Sequence, residues 1–445
     1  MASYAVIMTP TEILQELIRA KTVNPPGEEG AAAAILEAYL SNEGLKTEVL
    51  ESPRGRPSLV ARLEGPTGRP PLVLLSHSDV VPVEEDKWTH DPFGAEHFDG
   101  FIWGRGALDM KSIAVMHAVA AAELAHSDRE PRREVIFVMA ADEEAGGGEG
   151  AGWLVEAHAD RVGFAQDRPL PEVIAEGAYG LAGALDKPVM PIALGEKTAV
   201  WFDLVAKGDP GHGALPPAQQ APINLASLIT EVAGFGTPRV HPVMREQFSV
   251  LASAASGKTA KIFRVLASPA GGVIARAVAG QVRRAGPLGV LLSDSITPTL
   301  VNAGYKHNVV PAEGRAFFDC RLLPDTDVDG FVDSVRARAE KRGGTVENVH
   351  QKGRGPVSER GPLFSILERV SRELDPNIVT APSLSPGITD ARYFRARGAT
   401  AYGWCPLVLT PELLATVHGH DERISVEDFE KAVRATTEAV ARAAS

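Results

Sequence analysis

Cysteine is nearly absent: two occur in 445 residues, Cys320 and Cys405, each inside an apolar stretch. Two thiols cannot build a disulfide framework, so a reducing compartment and two small buried hydrophobes are expected. Basic residues are also short, 45 Lys and Arg against 57 Asp and Glu, leaving a net charge of −12. Such a chain repels polyanions, which argues against nucleic acid and against anionic membranes as partners. No apolar run approaches the ~20 residues of a membrane span. Met1–Pro10 lacks a basic region followed by a long apolar run, so no signal peptide is read there and a cytoplasmic location is expected. No Gly-x-Ser-x-Gly elbow follows a strand, which disfavours a serine hydrolase.

What is present is an ordinary globular composition, 44% hydrophobic and 23% charged. The length exceeds one comfortable core, so two domains are expected. Thr9 to Leu45 reads as two amphipathic helices broken at Pro25-Pro26-Gly27. Leu59–Leu63, Pro71–His77, Glu134–Ala141 and Val173–Ala175 read as strands, with a helix over Ser112–Ala125. The unbroken apolar run Leu72–Leu75 suits a strand buried on both faces, and the alternation with helices predicts an α/β domain with a mostly parallel sheet.

The pattern changes after Gly195. Strands are expected at Thr198–Lys207, Thr299–Asn302, Arg315–Leu322 and Thr345–His350, with helices at Asn224–Gly234 and Val328–Arg342. That order, β-α-β-β-α-β, predicts an α+β domain spanning 196–352, inserted into a first domain made of 1–195 and 353–445. The stretch 236–294 carries no clear pattern. From Gly353 the chain is expected to return to the α/β domain, with helices at Leu363–Leu374 and Val426–Ala444.

Polar residues gather where the strands end, as in open α/β sheets. Leu75-Ser76-His77-Ser78-Asp79 closes a buried strand. Residues two apart share a side of extended backbone, so Asp79 can fix the tautomer of His77; alone, such a pair is more often structural. Asp109, in Gly104-Arg105-Gly106-Ala107-Leu108-Asp109, precedes a helix and reads equally as an N-cap. Asp142-Glu143-Glu144 crowds three carboxylates at the mouth of a strand, where either solvent or a divalent cation must compensate them. Glu176 ends another apolar strand, and His418 and His420 lie near the C-terminus. Together these form a hard, oxygen-rich donor set suited to paired zinc or manganese.

The blocks His77-Ser78-Asp79-Val80-Val81-Pro82, Trp88 with Asp91-Pro92-Phe93, Gly104-Arg105-Gly106 with Asp109-Met110-Lys111, and Asp421-Glu422-Arg423 resemble, in order, those of the dinuclear-zinc peptidases. That family holds aminoacylases, bacterial glutamate carboxypeptidase, carboxypeptidase S, acetylornithine deacetylase and succinyl-diaminopimelate desuccinylase. The resemblance implies two divalent metal ions, Zn2+ first with Mn2+ or Co2+ possible, bridged by Asp109. His77 and Glu176 would complete one site, Glu144 and His418 the other. It implies Glu143 as general base towards a metal-bridged water, with Asp79 supporting His77. In Lys207-Gly208-Asp209-Pro210-Gly211-His212-Gly213 it implies an oxyanion-stabilising His212. It further implies a substrate-binding Asn308 and an Arg321 gripping the substrate carboxylate, a role that suits a guanidinium fork.

Ser385-Pro386-Gly387-Ile388-Thr389-Asp390 departs from the family's Gly-Gly-(Thr/Ser)-Asp, with Gly387 as the remaining candidate near substrate. The activity implied is hydrolysis of an amide bond beside a free carboxylate. An N-acyl amino acid is the first substrate and a dipeptide or C-terminal amino acid the alternative. The inserted domain would be a lid through which two copies dimerise. A non-catalytic binding protein that kept the fold is the reading from another class.

Overall fold

A computed structural model describes residues 8–127, 131–284, 287–352 and 355–445. The expectations placed on the first seven residues and on Gly353 lie outside the described residues. Eight strands form the larger sheet: Lys46–Glu51, Pro57–Leu63, Leu72–His77, Val135–Ala140, Glu172–Leu181, Val189–Glu196, Val379–Ser385 and Thr400–Leu409. Across the sheet they run 46–51, 57–63, 135–140, 72–77, 172–181, 400–409, 189–196, 379–385. The three pairings that link 135–140, 72–77, 172–181 and 400–409, and the one between 189–196 and 379–385, are parallel. The first hairpin and the contact between 400–409 and 189–196 are antiparallel. The sheet is therefore mixed but mostly parallel.

The apolar run Leu72–Leu75 alternates between two cores. Leu72 and Leu74 join one with the helices Pro10–Arg19, Gly30–Asn42, Lys111–Ala125, Pro362–Leu374 and Val426–Ala444. Val73 and Leu75 join the other, beneath Ala151–Ala157 and Ala391–Ala396. Burial on both faces removes any need for polar alternation. The helix ends obey local chemistry. Thr9 and Glu12 make a capping box ahead of Pro10, and Ser425 caps the last helix through Asp428 N–H. Cys320 and Cys405 are buried and unbonded to one another.

A second, five-stranded sheet runs 234–235, 295–302, 313–322, 198–207, 344–352, every neighbour antiparallel. Helices Ala221–Val232 and Val328–Glu340 share its core. The stretch without a legible pattern holds helices Pro242–Ala254, Gly257–Ala267, Gly271–Ala277, Ala279–Arg284 and Pro287–Leu292. The first of these packs on the outer strand of the eight-stranded sheet, where Ala254 meets Val189 and Ala381 and where Met244 and Phe248 cluster with Leu384. It covers a sheet edge that would otherwise present unpaired backbone groups. Four strands of the larger sheet, 46–51, 189–196, 379–385 and 400–409, were not anticipated. Val173–Ala175 extends to Leu181, because past Glu176 the strand alternates small and half-buried residues that carry no hydrophobic run.

Candidate metal centre

Register brings the polar residues together. In the parallel pair 72–77 and 135–140, His77 stands opposite Ala140, so both strands end on one level. Ser78 N–H donates to Ala140 O at 2.9 Å, and the next residues of each strand turn into the same crevice. Leu74 stands opposite Ile174 on the other side, which carries Glu176 to the same edge.

The two oxygens of Asp109 face two different imidazoles. Its Oδ1 lies 3.3 Å from His77 Nε2 and its Oδ2 lies 3.1 Å from His418 Nε2. Glu176 Oε1 stands 3.8 Å from His77 Nε2, and Glu144 Oε1 stands 3.2 Å from His418 Nε2. Donor atoms of His77, Glu143 and Glu176 lie within 4.8 Å of one another, as do those of His77, Asp109 and Glu144. The N-cap reading of Asp109 fails: the helix 111–125 begins from Met110 without a side-chain cap. His420 instead points away to Glu84, 3.1 Å distant. His418 sits at φ 57, in the left-handed region, where non-glycine residues are uncommon but histidine is among those found.

Asp142-Glu143-Glu144 is no solvated loop, since Asp142 and Glu143 are buried. Burial and the neighbouring Glu176 charge push Glu143 well above the usual carboxylate range. Burial and Asp109 do the same to Glu176. For His77 burial works downward, but its bonds to Asp109 and Asp79 prevail and raise it. His418 is pushed up to about 10 by Asp109 and Glu144. Asp109 falls below its ordinary value, its two imidazole partners outweighing burial. A protein-only cluster thus holds four carboxylates against two imidazoles. Glu144 Oε1 is buried and makes no aligned hydrogen bond, despite its nearness to His418. Orphaned buried oxygen is costly unless a cation meets it. The hard O/N donor set, split by one two-sided carboxylate, fits a pair of divalent cations.

Asp79 works differently from the expectation. His77 Nδ1 lies 2.9 Å from the backbone carbonyl of Asp79 and 3.5 Å from its Oδ1, so the carbonyl takes the ring N–H. The Asp79 carboxylate accepts the backbone N–H groups of Glu143 and Glu144 at 3.0 and 3.1 Å, and Asn24 Nδ2 at 2.7 Å.

Several supports were given no role from the sequence, and three of them, Asn24, Arg56 and Glu29, were not named at all. Asn24 also reaches Asp142 Oδ1 at 3.3 Å, and Asp142 in turn accepts Arg56, which is paired with buried Glu29. Glu422, fully buried, holds Arg105 at 2.5 Å and the N–H groups of Leu108 and Asp109 at 2.7 and 3.1 Å. Trp88 lies over Arg105, and Arg105 N–H donates to Pro92 O, so the Trp88 and Asp91-Pro92-Phe93 blocks are scaffold for the Asp109 loop. Asp390 is buried near Glu143 with both oxygens unpaired, raised to about 7 chiefly by burial. Glu422 lies in the Asp421-Glu422-Arg423 block, but no local pattern marks Asn24, which stands just before Pro25-Pro26. Nothing in the sequence marks Arg56 or Glu29 as partners.

Of the residues expected to hold substrate, Arg321 lies on the five-stranded sheet, while His212 and Asn308 sit at a separate two-stranded ladder. His212 and Asn308 are neighbours because strands 211–212 and 309–310 pair, with Gly213 N–H donating to Asn308 O. Ala214 N–H donates to His212 Nδ1, which leaves Nε2 to carry the proton outward in the neutral ring. Arg321 forms a two-pronged pair with Asp319, at 2.7 and 2.9 Å. The side chains of His212 and Arg321 bond only to near neighbours in sequence, Ala214 and Asp319, and do not reach the centre. Gly387 has ordinary backbone and room for a side chain, its nearest contact being Ser385 Oγ at 3.8 Å from a notional Cβ.

Comparison with known proteins bears on this geometry. The profile of Peptidase family M20/M25/M40 matches residues 73–442. Aminoacylase-1 of Sus scrofa is 29% identical over 443 residues, covering 97% of this chain and 95% of that protein. The M20 family metallo-carboxypeptidase Sso-CP2 of Sulfolobus solfataricus superposes with a TM-score of 0.75 at 19% identity, over 98% and 99% of the two chains. Human carnosine dipeptidase 1 superposes at 0.69 with 14% identity, over 98% and 96%.

Proposed function

The chain belongs to the peptidase family M20/M25/M40, and on that premise we propose that this metal-dependent amide hydrolase is of the aminoacylase type. Its substrate is an N-acyl amino acid whose free carboxylate directs the cut. One observation carries the reading: Asp109 addresses His77 with one oxygen and His418 with the other, with Glu176 and Glu144 on either side. In this reading His77, Asp109 and Glu176 hold one ion, Asp109, Glu144 and His418 the other, and zinc is the metal. The similarity to aminoacylase-1 along nearly the whole of both chains supports the substrate class.

Two bound cations would supply Lewis acidity to the attacking water and to the scissile carbonyl. The chain's own groups do the rest. Glu143, poised by burial to hold a proton, takes one from water as its oxygen attacks the carbonyl carbon. It returns that proton to the amine nitrogen as the C–N bond breaks. Asp79 fixes both the ring of His77 and the turn that carries Glu143. His212 donates from Nε2 to the developing oxyanion, and Asn308 beside it binds the same part of the substrate. Arg321 exchanges Asp319 for the substrate carboxylate, a like-for-like replacement of one fork by another. Gly387 borders the pocket without contributing a group of its own.

Residues 1–195 with 353–445 form the catalytic domain in this account, and 196–352 the lid. The outer strand of the lid sheet supports a homodimer. Among the described residues its edge beyond Ser295 and Ile296 has no strand partner, and Leu300 and Val301 are 68% and 62% exposed. Val301→Lys is expected to yield a monomer by light scattering.

The test of function is a hydrolysis panel of N-acetyl, N-long-acyl and dipeptide substrates, each also with its carboxylate amidated. The panel is repeated after chelation and zinc or manganese add-back. Cleavage of the acyl substrates that needs both carboxylate and metal is expected. Cleavage confined to dipeptides would move the chain to the peptidase branch, and none with metal bound would sink the reading.

A further inference from the structure

The negative charge of the chain is not evenly spread. Residues 247–293 contain no Asp or Glu, but include Lys258, Lys261, Arg264, Arg276, Arg283 and Arg284. A stretch carrying six cations and no anion, inside a chain of net charge −12, is a local reversal that the overall charge hides. It coincides with the helices that follow Pro242–Ala254.

Those helices pair the charge with exposed hydrocarbon. In the helix 257–267 the buried residues are Ala260, Phe263 and Leu266. Lys258, Lys261, Ile262 and Val265 fall within one arc of about 100° on the opposite side, and all four are exposed. Val273, Ile274 and Val278 on the neighbouring turns are exposed as well. Between the two helical segments lies a groove of about 350 Å³ whose wall is aliphatic, from Ile262, Val265, Ile274, Val278 and Leu292, with Lys261 and Gln281 as its polar members. Some exposed cations elsewhere have carboxylate partners: Arg315 has Glu313 and Glu347, Arg442 has Glu373 and Glu438. Among the described residues, Lys258, Lys261, Arg264 and Arg276 form no ion pair.

We propose that the 257–284 helices are a docking surface for an anionic phospholipid bilayer, with the cations on the headgroups and the aliphatic groove receiving an acyl chain. Basic charge beside an apolar face is the combination that lies in a membrane interface without spanning it. No helix among the described residues is long and apolar enough to cross a membrane. A second copy of the chain is a poor occupant, because a twofold contact would set cations against cations. Nucleic acid is poor too, since the exposed groups are aliphatic and offer no stacking surface. The surface goes beyond the hydrolytic reading and does not depend on it.

The test is sedimentation of the whole protein with phosphatidylcholine vesicles, and with vesicles holding about 30 mol% phosphatidylglycerol. Binding is expected to the second only, and to weaken with salt. The triple variant Lys258→Glu/Lys261→Glu/Arg264→Glu, changed only at exposed positions, is expected to lose roughly fivefold in affinity per cation removed. Val278→Asp is expected to weaken binding at high and low salt alike. Lys46→Glu, an exposed cation on the first hairpin, serves as the control and is expected to bind as the parent does. Vesicle binding reads the surface without catalysis, so its failure and that of the hydrolysis panel are separate results. No binding to anionic vesicles, equal binding to both kinds, or unchanged binding by the triple variant would each overturn the proposal. So would capture by polyglutamate without vesicle binding, which would make the partner a soluble acidic chain.

Discussion

The carboxylate of Asp79 accepts the backbone N–H of Glu143 at 3.0 Å, while the carbonyl of the same residue holds His77 Nδ1 at 2.9 Å. One residue thereby sets the distance between an imidazole of the centre and the carboxylate assigned as base. Burial raises Asp79, but the adjacent His77 and the N–H donors of Asn24 and Glu144 more than reverse this, so the carboxylate stands ionised.

Asn24 completes that acceptor and gives a way to perturb it gently. Its amide donates to Asp79 and to Asp142. Asn24→Ala removes a donor from two buried carboxylates, a loss on the order of 1–3 kcal/mol. A fall in kcat of about tenfold with KM and bound metal unchanged is expected, because the turn carrying Glu143 loosens while the ligands stay. Steady-state kinetics with metal analysis checks it; loss of metal in step with activity would assign Asn24 to the site's integrity instead.

Glu143 separates catalysis from stability. Its backbone N–H, not its side chain, bonds Asp79, so Glu143→Gln leaves the turn intact. Turnover is expected to fall by about 10²–10⁴ with both metals retained. Burial and the adjacent carboxylates disfavour the charged form, so the chelated variant is expected to melt no lower than the chelated parent. Calorimetry beside kcat decides; undiminished turnover would remove Glu143 from the base position.

The site was more legible than its supports. His77, Asp109, Glu144, Glu176 and His418 each sit beside a strand end or a glycine loop, where a polar residue after an apolar run is conspicuous. The parallel register then does the gathering. Asn24, Arg56 and Glu29 come from a loop, a strand start and a helix entry, and only tertiary packing makes them partners. The helices of 242–292 escaped because their apolar residues are split between a buried face and an exposed one, which blurs the 3.6-residue period. The strand 379–385 escaped for a related reason: Pro382 and three Ser or Thr interrupt the apolar pattern in a segment that is nonetheless buried.

Glu422 and Arg105 form a buried pair that also fixes the loop bearing Asp109. Removing one partner of such a pair strands the other, at a cost of about 3–5 kcal/mol. Glu422→Ala is therefore expected to lower the melting temperature sharply and to weaken metal binding, since Asp109 N–H loses its acceptor. Glu422→Gln, which keeps an acceptor for Leu108 and Asp109, should restore part of both. Thermal melts with and without added zinc measure the difference; equal behaviour of the two variants would mean the loop is held by other contacts.

His117 predicts how the fold responds to acid, away from the centre. It lies wholly buried in the helix 111–125 with Nδ1 unpaired, and burial lowers it from 6.5 to about 3. The unfolded chain takes up this proton at about pH 6.5 while the folded chain refuses it until far lower. Stability from this group is thus present above pH 6.5 and is lost as pH falls, by up to about 1.4 kcal/mol per unit. Between pH 7.5 and 5 that amounts to about 2 kcal/mol. His117→Leu, of similar volume and favourable in a helix, removes the proton-binding step and should flatten the acid side by that amount. Urea unfolding of both proteins at the two pH values isolates it, because every other histidine cancels in the comparison. Parallel loss in the two proteins would show that His117 finds a proton partner in the fold.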